Sequence, residues 1–214
     1  MEKAQLISRC EVFVKDQMSG DTSGHDWHHI MRVRSLALQI AREEGSDSLF
    51  LIEMAALLHD IPDGKLNESE EAGFKKLDDW FKEQEMALET IDELSAIIRS
   101  IPFKGGNNLH ELSPEARIVQ DADRLDAMGA IGIARTFAYG GKKGQPIYEP
   151  EMAPRNDMTI EEYRDGRSSS INHFYEKLLK LKDLLHTDAA KKLSEDRQRF
   201  MEEFLQQFYK EWNV

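Results

Sequence analysis

The segment from Asp47 to Asp60 limits the possible folds of this chain more than any other. Leu49, Phe50, Leu51, Ile52, Met54, Ala55, Ala56, Leu57 and Leu58 make it apolar nearly all round. A helix apolar on every face must be enclosed by other elements. Pro62 removes a backbone donor and disfavours the α conformation before it, so the helix is predicted to end near Asp60. The enclosing elements should be helices too. From about Glu2 to Gln17, residues Leu6, Ile7, Cys10, Phe13 and Val14 share one face at helical spacing. From near Asp26, Ile30, Val33, Leu36, Ala37 and Ile40 do the same until Gly45 stops the pattern.

The rest of the chain continues in helical periods with no convincing strand. A more polar pair is predicted from about Ser69 to Lys82 and from about Met86 to Ser100, before Pro102 and the stretch Lys104 to Asn108 break the pattern. Ser113-Pro114 is an N-cap followed by proline at the first helical position, opening a helix to about Ala138. The second half of that helix is rich in small residues, from Ala127 through Gly129, Ala130 and Gly132 to Ala134. Gly140 to Asp157 reads as a long loop. Thr159-x-x-Glu162 reads as a capping-box start for a further helix, which Gly166 and Ser168 to Ser170 could split. A last helix is predicted from about Asp188 to Trp212, carrying Leu193, Phe200, Met201, Phe204, Leu205 and Phe208. With 214 residues and no linker, the expectation is one all-α domain over residues 1–214. Its core motif region spans about 24–141, and C-terminal helices over 158–214 pack on it.

A net charge of -12 argues against nucleic acid as the main partner, because phosphate neutralisation needs clustered Lys and Arg. The lone Cys10 excludes an internal disulfide and fits a reducing compartment. No apolar run approaches the roughly 18 residues of a membrane span, and the opening Met-Glu-Lys-Ala-Gln lacks the order of a secretory signal. The expected location is the cytoplasm.

Four residues carry the chemistry: His29, the adjacent His59-Asp60, and Asp123. Two imidazoles and two carboxylates make a mixed nitrogen and oxygen set that suits a divalent first-row metal and can leave coordination positions open. His29 shares the register of Val33 and faces inward, where an unsatisfied imidazole is costly. Asp123 lies among small and apolar residues, and a buried carboxylate there needs a cation or a firm donor. In mid-helix His59 and Asp60 would diverge by about 100 degrees, but at a helix end released by Pro62 both can reach one ion. Taken singly, each residue has an ordinary structural role. The ordered set, with its flanks HDWHHIMRV (25–33), AALLHDIPD (55–63) and VQDADRLDAMGAIGIARTFAYGG (119–141), resembles the HD superfamily of metal-dependent phosphohydrolases. INHFYEKLLKLKDLL (171–185) further resembles its compact bacterial branch.

The resemblance implies a helical bundle with one divalent metal at its centre, held by His29, His59, Asp60 and Asp123. Manganese is the expected ion, with iron, nickel, cobalt, zinc or magnesium as alternatives. His110 is the only histidine between His59 and Asp123, whereas two-metal relatives draw on more, so a mononuclear centre is implied. Relatives place an acidic residue four positions after the histidine of the His-Asp pair; here it is Asp63, where they usually carry Glu, and with Asp60 it is assigned to catalysis.

Around this set, His25 lies one turn before His29 and is assigned to the substrate pocket, whereas His28 should face away and Asp26 is either an N-cap or a pocket residue. His173 is assigned to the pocket wall and His186 to a structural or exposed role. Asp126 shares part of a face with Asp123 and could orient a water or Arg124, while Asp121 should face elsewhere. The basic, glycine-rich run from Gly140 to Pro146 suits phosphate oxygens through freed amides and lysine, so Lys142, Lys143 and Arg135 are assigned to phosphate binding. The expected activity is hydrolysis of a small nucleotide, foremost a (deoxy)nucleoside triphosphate to monophosphate and pyrophosphate. A monophosphate phosphatase or phosphodiesterase is the alternative within the superfamily, and a homodimer stays open. A nucleotide-sensing module would have tended to lose metal ligands, and a di-iron oxygenase would need more histidines.

Overall fold

The apolar run becomes the centre of the molecule. In the computed structural model, which describes residues 3–18, 26–64, 66–102, 112–155 and 167–213, it forms α3 (Leu49–Leu58). Four helices pack on α3: α1 (Lys3–Gln17), α2 (Trp27–Glu43), α5 (Leu88–Ser100) and α6 (Pro114–Asp126). Burial of Ile52, Met54, Leu57 and Leu58 against them removes about 1.5–3 kcal/mol of unfavourable exposure per side chain. Between α3 and α5, α4 (Glu70–Glu83) buries Phe74, Leu77, Trp80 and Phe81. Phe13 of α1 stacks on Trp80 with ring centroids 5.3 Å apart.

The remaining helices are α7 (Gly129–Lys143), α8 (Ser170–Glu176) and α9 (Asp188–Trp212), with two 3₁₀ turns, Leu178–Lys180 and Lys182–Leu184, between the last two. The long α9 packs on α7 and also touches α6 and α2. Asp121 makes one of these connections. Its carboxylate accepts from the Thr187 amide and hydroxyl, both at 2.8 Å, and from the His186 amide, so a side chain of α6 satisfies donors at the start of α9. The all-α expectation holds: the described residues contain no strand, and none of their helices is long and apolar enough to cross a membrane.

Three expectations need correction. The helix from Ser113 does not run to Ala138; it breaks after Asp126, and α7 starts afresh at Gly129, whose φ of +68° is left-handed. Gly132 makes the corner possible, since a Cβ there would meet the Ala127 carbonyl oxygen at 2.2 Å. The long loop predicted from Gly140 starts four residues later: Gly140 to Lys143 form the last turn of α7, its cap Gly144 is left-handed with φ +67°, and the described residues from there to Arg155 are non-helical. Gly140 is needed for packing: its would-be Cβ falls 2.3 Å from the Ser170 hydroxyl of α8. Lastly, α3 stops at Leu58, two residues short of Asp60. The capping box at Thr159 and Glu162 lies outside the described residues.

Candidate metal centre

His29 sits in the first turn of α2, where the side chain of the N-cap Asp26 accepts from its backbone amide at 2.9 Å. Asp26 is therefore the cap. His59 follows the last residue of α3 with φ -58° and ψ -36°, and the ladder then gives way to turn bonds from Ile61 to Leu58 and from Asp63 to Asp60, each 3.0 Å. That change of path lets two consecutive side chains face one point. Asp123 joins them from the last turn of α6.

The distances describe one cluster. His29 Nε2 lies 3.2 Å from Asp60 Oδ2 and 3.6 Å from Asp123 Oδ1. His59 Nε2 lies 3.3 Å from Asp60 Oδ1 and 3.9 Å from Asp123 Oδ1. The two imidazole rings meet edge-on, with centroids 5.4 Å apart. Both are buried, while the Asp123 side chain keeps 35% of its exposure, so the cluster opens to solvent on that side.

The far nitrogen of each ring fixes what the near one can do. His59 Nδ1 donates to the Ala56 carbonyl at 2.9 Å, and His29 Nδ1 donates to Asp126 Oδ2 at 2.7 Å. These partners place a proton on Nδ1 of both rings, so that each ring in its neutral form turns an Nε2 lone pair toward the carboxylates. His59 Nε2 is buried without a hydrogen-bond partner among the described residues. Burial opposes charge on His29, but hydrogen bonds to Asp126 and Asp60, with the Asp60 charge, outweigh it and push its pKa up to about 9. The field that holds a proton there is the field a divalent cation would meet. The donor types, the spacing and the orphaned buried nitrogen fit such an ion.

Asp126 proves to be a central residue. Its carboxylate is 1% exposed and accepts from His29 Nδ1, from Arg32 Nε at 2.6 Å and Nη2 at 3.1 Å, and from Arg135 Nη1 at 2.7 Å. Burial would raise its pKa, but the hydrogen bonds from His29 and Arg32 and the charges of His29 and Arg135 hold it well below the usual carboxylate range. Arg124, the partner anticipated for it, turns away to the Leu184 carbonyl and to His186. His186, with Nε2 2.7 Å from Gln120 Oε1, is structural. The clue to Asp126 was its spacing: Asp123 and Asp126 are three apart on α6, as His29 and Arg32 are on α2.

The other assigned residues are spread more widely. Asp63 is half-buried in the turn after Pro62, a turn braced by the Asn67 amide on the Ile61 and Asp63 carbonyls at 2.7 and 2.9 Å. Arg135 reaches the cluster through Asp126. Lys142 and Lys143 are exposed in the last turn of α7, with Lys143 Nζ 5.9 Å above the Tyr139 ring. This corrects the idea of a glycine loop presenting amides to phosphate, since a helix C-terminus presents carbonyls. His173 is half-buried on α8; His25 and His110 lie outside the described residues. His28 is exposed and lines a groove of about 700 Å³ beside the cluster, together with Arg32, Ser35, Asp126, Gly129 and Arg197.

An all-α bundle that gathers two histidines and two aspartates from α2, from the turn after α3 and from α6 has the donor set of a metal-binding helical domain. Residues 26–128 match the HD domain family. Over 99% of this chain and 96% of the relative, the sequence is 37% identical to YpgQ of Bacillus subtilis. Among solved structures, an HD-superfamily hydrolase from Bacillus thuringiensis is 49% identical with a TM-score of 0.76 and all of both chains covered. A protein from Lactobacillus plantarum is 41% identical with a TM-score of 0.88, covering 97% of this chain and 96% of its own. The crystal structure of YpgQ in complex with ADP aligns with a TM-score of 0.75 at 34% identity, over 96% of this chain and 97% of its own. The chain belongs to the HD domain family and is a metal-dependent phosphohydrolase of that superfamily.

Proposed function

We propose that this chain hydrolyses a small nucleotide, foremost a (deoxy)nucleoside triphosphate to the monophosphate and pyrophosphate, with one divalent metal held by His29, His59, Asp60 and Asp123. The observation that carries the reading is the convergence of two imidazole Nε2 atoms on two carboxylates at 3.2–3.9 Å, open to solvent at Asp123. When bound, the ion supplies Lewis-acid polarisation of a phosphoryl oxygen and a lowered pKa for water, and the ligand mix favours manganese. The ADP complex of YpgQ supports a nucleotide as the ligand class.

The residues of the chain then divide the work. Asp60 and Asp123 hold negative charge against the cation, and Asp63, in the turn just beyond, takes the proton of the attacking water. Arg135 and Lys142 are seven residues apart on α7, hence on one face and about 10 Å apart along the axis. This basic stripe starts beside the cluster and would carry the outer phosphates, with the side chains alone as donors. His173, half-buried on α8, lines the nucleoside end. The test is a panel of mono-, di- and triphosphates turned over by manganese-loaded protein and read by phosphorus NMR. Pyrophosphate from triphosphates is expected. Orthophosphate as the first product would overturn the bond assignment, and binding without turnover would make the chain a sensor.

A further inference from the structure

Two helices supply the cluster in matching pairs. On α6, Asp123 faces the cluster and Asp126 follows one turn later; on α2, His29 faces it and Arg32 follows one turn later. α2 and α6 pack against each other, so the second members of the two pairs meet just behind the first. Arg32 grips Asp126 through two nitrogens, and Arg135 from α7 adds a third guanidinium bond. The carboxylate held in this way accepts a hydrogen bond from His29 Nδ1–H at 2.7 Å.

We propose that Asp126 is a positioning residue that sets the tautomer and aim of His29 for the metal and is itself held in place by Arg32 and Arg135. This rests on the metal-centre reading above. The two imidazoles differ in their anchors. His59 Nδ1 meets a neutral carbonyl of its own helix, whereas His29 Nδ1 meets a full negative charge from another helix. A charged acceptor makes the stronger hydrogen bond and leaves more electron density on the opposite nitrogen. His29 is thereby the stronger donor of the pair, and its orientation depends on α6 and α7 as well as on α2. An asparagine at 126 can still accept one bond, but it carries no charge and turns N–H groups toward two guanidiniums and an imidazole that also donate.

The test titrates metal-depleted protein with manganese by calorimetry, for the parent, Asp126→Asn and His59→Ala. Loss of the outer partner is expected to weaken binding roughly 10- to 100-fold in Asp126→Asn at unchanged stoichiometry. Cobalt(II)-loaded protein supplies the second readout, because the Nδ1–H of each ligating histidine gives its own shifted proton resonance. In Asp126→Asn the His29 resonance should exchange faster with solvent while that of His59 stays as in the parent. General loosening of the fold would move both. If Asp126→Asn does not fold, Arg135→Gln leaves the carboxylate and Arg32 in place, and it should bind more weakly than the parent with the same selective effect on His29. Parent affinity and parent exchange at His29 in a folded variant would overturn the proposal. Parent affinity in His59→Ala would instead overturn the metal centre itself, whatever the Asp126 variant does.

Discussion

The buried proton on His29 makes the stability of the metal-free protein depend on pH, and the size of the effect comes from the cluster. His29 is fully buried, and its carboxylate neighbours push its pKa up to about 9. In the unfolded chain the same imidazole titrates near 6.5. A raised folded pKa stabilises the folded state fully below the unfolded pKa, and that contribution is lost as pH rises through the folded pKa. From pH 6 to pH 8 the unfolded chain releases this proton while the folded one keeps it, so about 2 kcal/mol of stability should disappear. For a chain of this size that is a fall in melting temperature of roughly 4–8 °C. The assay is a thermal melt of chelator-treated protein across that range, beside His29→Gln. The variant should lose the slope, which separates His29 from the other histidines. Protein loaded with manganese should also lose it, because the cation replaces the proton. A metal-free melting temperature that is flat or rises with pH, or a slope that persists in His29→Gln, would refute the reasoning.

Asp123→Ala should lower hydrolysis by orders of magnitude while circular dichroism still shows the parent helix content, since its side chain is partly exposed at the mouth of the cluster; outright unfolding would make the residue structural first. Gly132→Ala, with its Cβ 2.2 Å from a backbone oxygen, should cost about 1–3 kcal/mol by denaturant unfolding. Gly141→Ala, with nothing within 4 Å, should instead gain up to about 1 kcal/mol from helix propensity. Replacing Lys142 and Lys143 together by alanine should reduce kcat/KM more for a triphosphate than for a monophosphate and leave metal content unchanged; an equal loss for both would confine the lysines to ending the helix.

Helix existence was legible in the sequence wherever apolar residues recur at helical spacing, because burial of such a face decides local structure. Thus α1, α2 and α9 fall within a residue or two of their predicted spans. Helix breaks were less legible. Ala127 to Ala134 reads as a continuous helix because alanine propagates one and glycine weakens it only modestly. What breaks it is Gly129 in a left-handed conformation beside Arg197, a tertiary fact with no local pattern. At Gly140 and Gly141 the local pattern misleads in the other direction. Two glycines suggest a loop, but Gly140 is there to let the Ser170 hydroxyl approach the backbone.

The cluster itself was legible because ligand chemistry is scarce: an inward histidine and an inward aspartate need partners, and few residues can supply them. The support behind it was less so. Carboxylates are common on helices, and only the packing of α2 on α6 shows which of Asp121, Asp123 and Asp126 serves which purpose. Asp121 points to the start of α9, Asp123 to the cluster, and Asp126 to the back of His29. Three carboxylates within six residues thus tie α6 to three different partners. Adjacent side chains on a helix diverge by about 100 degrees, so the spacing of two turns Asp121 away from Asp123, whereas the spacing of three leaves Asp126 about 60 degrees from Asp123, one turn further on. The same spacing explains why the arginines matter. Arg32 and Arg135 supply two positive charges to Asp126, enough to keep it ionised in a buried place where a lone carboxylate would take up a proton. A protonated Asp126 could donate to His29 Nδ1, and the ring would then have to carry its own proton on Nε2, the atom that the proposed cation would need. The basic residues behind the cluster therefore help to make an acidic site that can accept a metal.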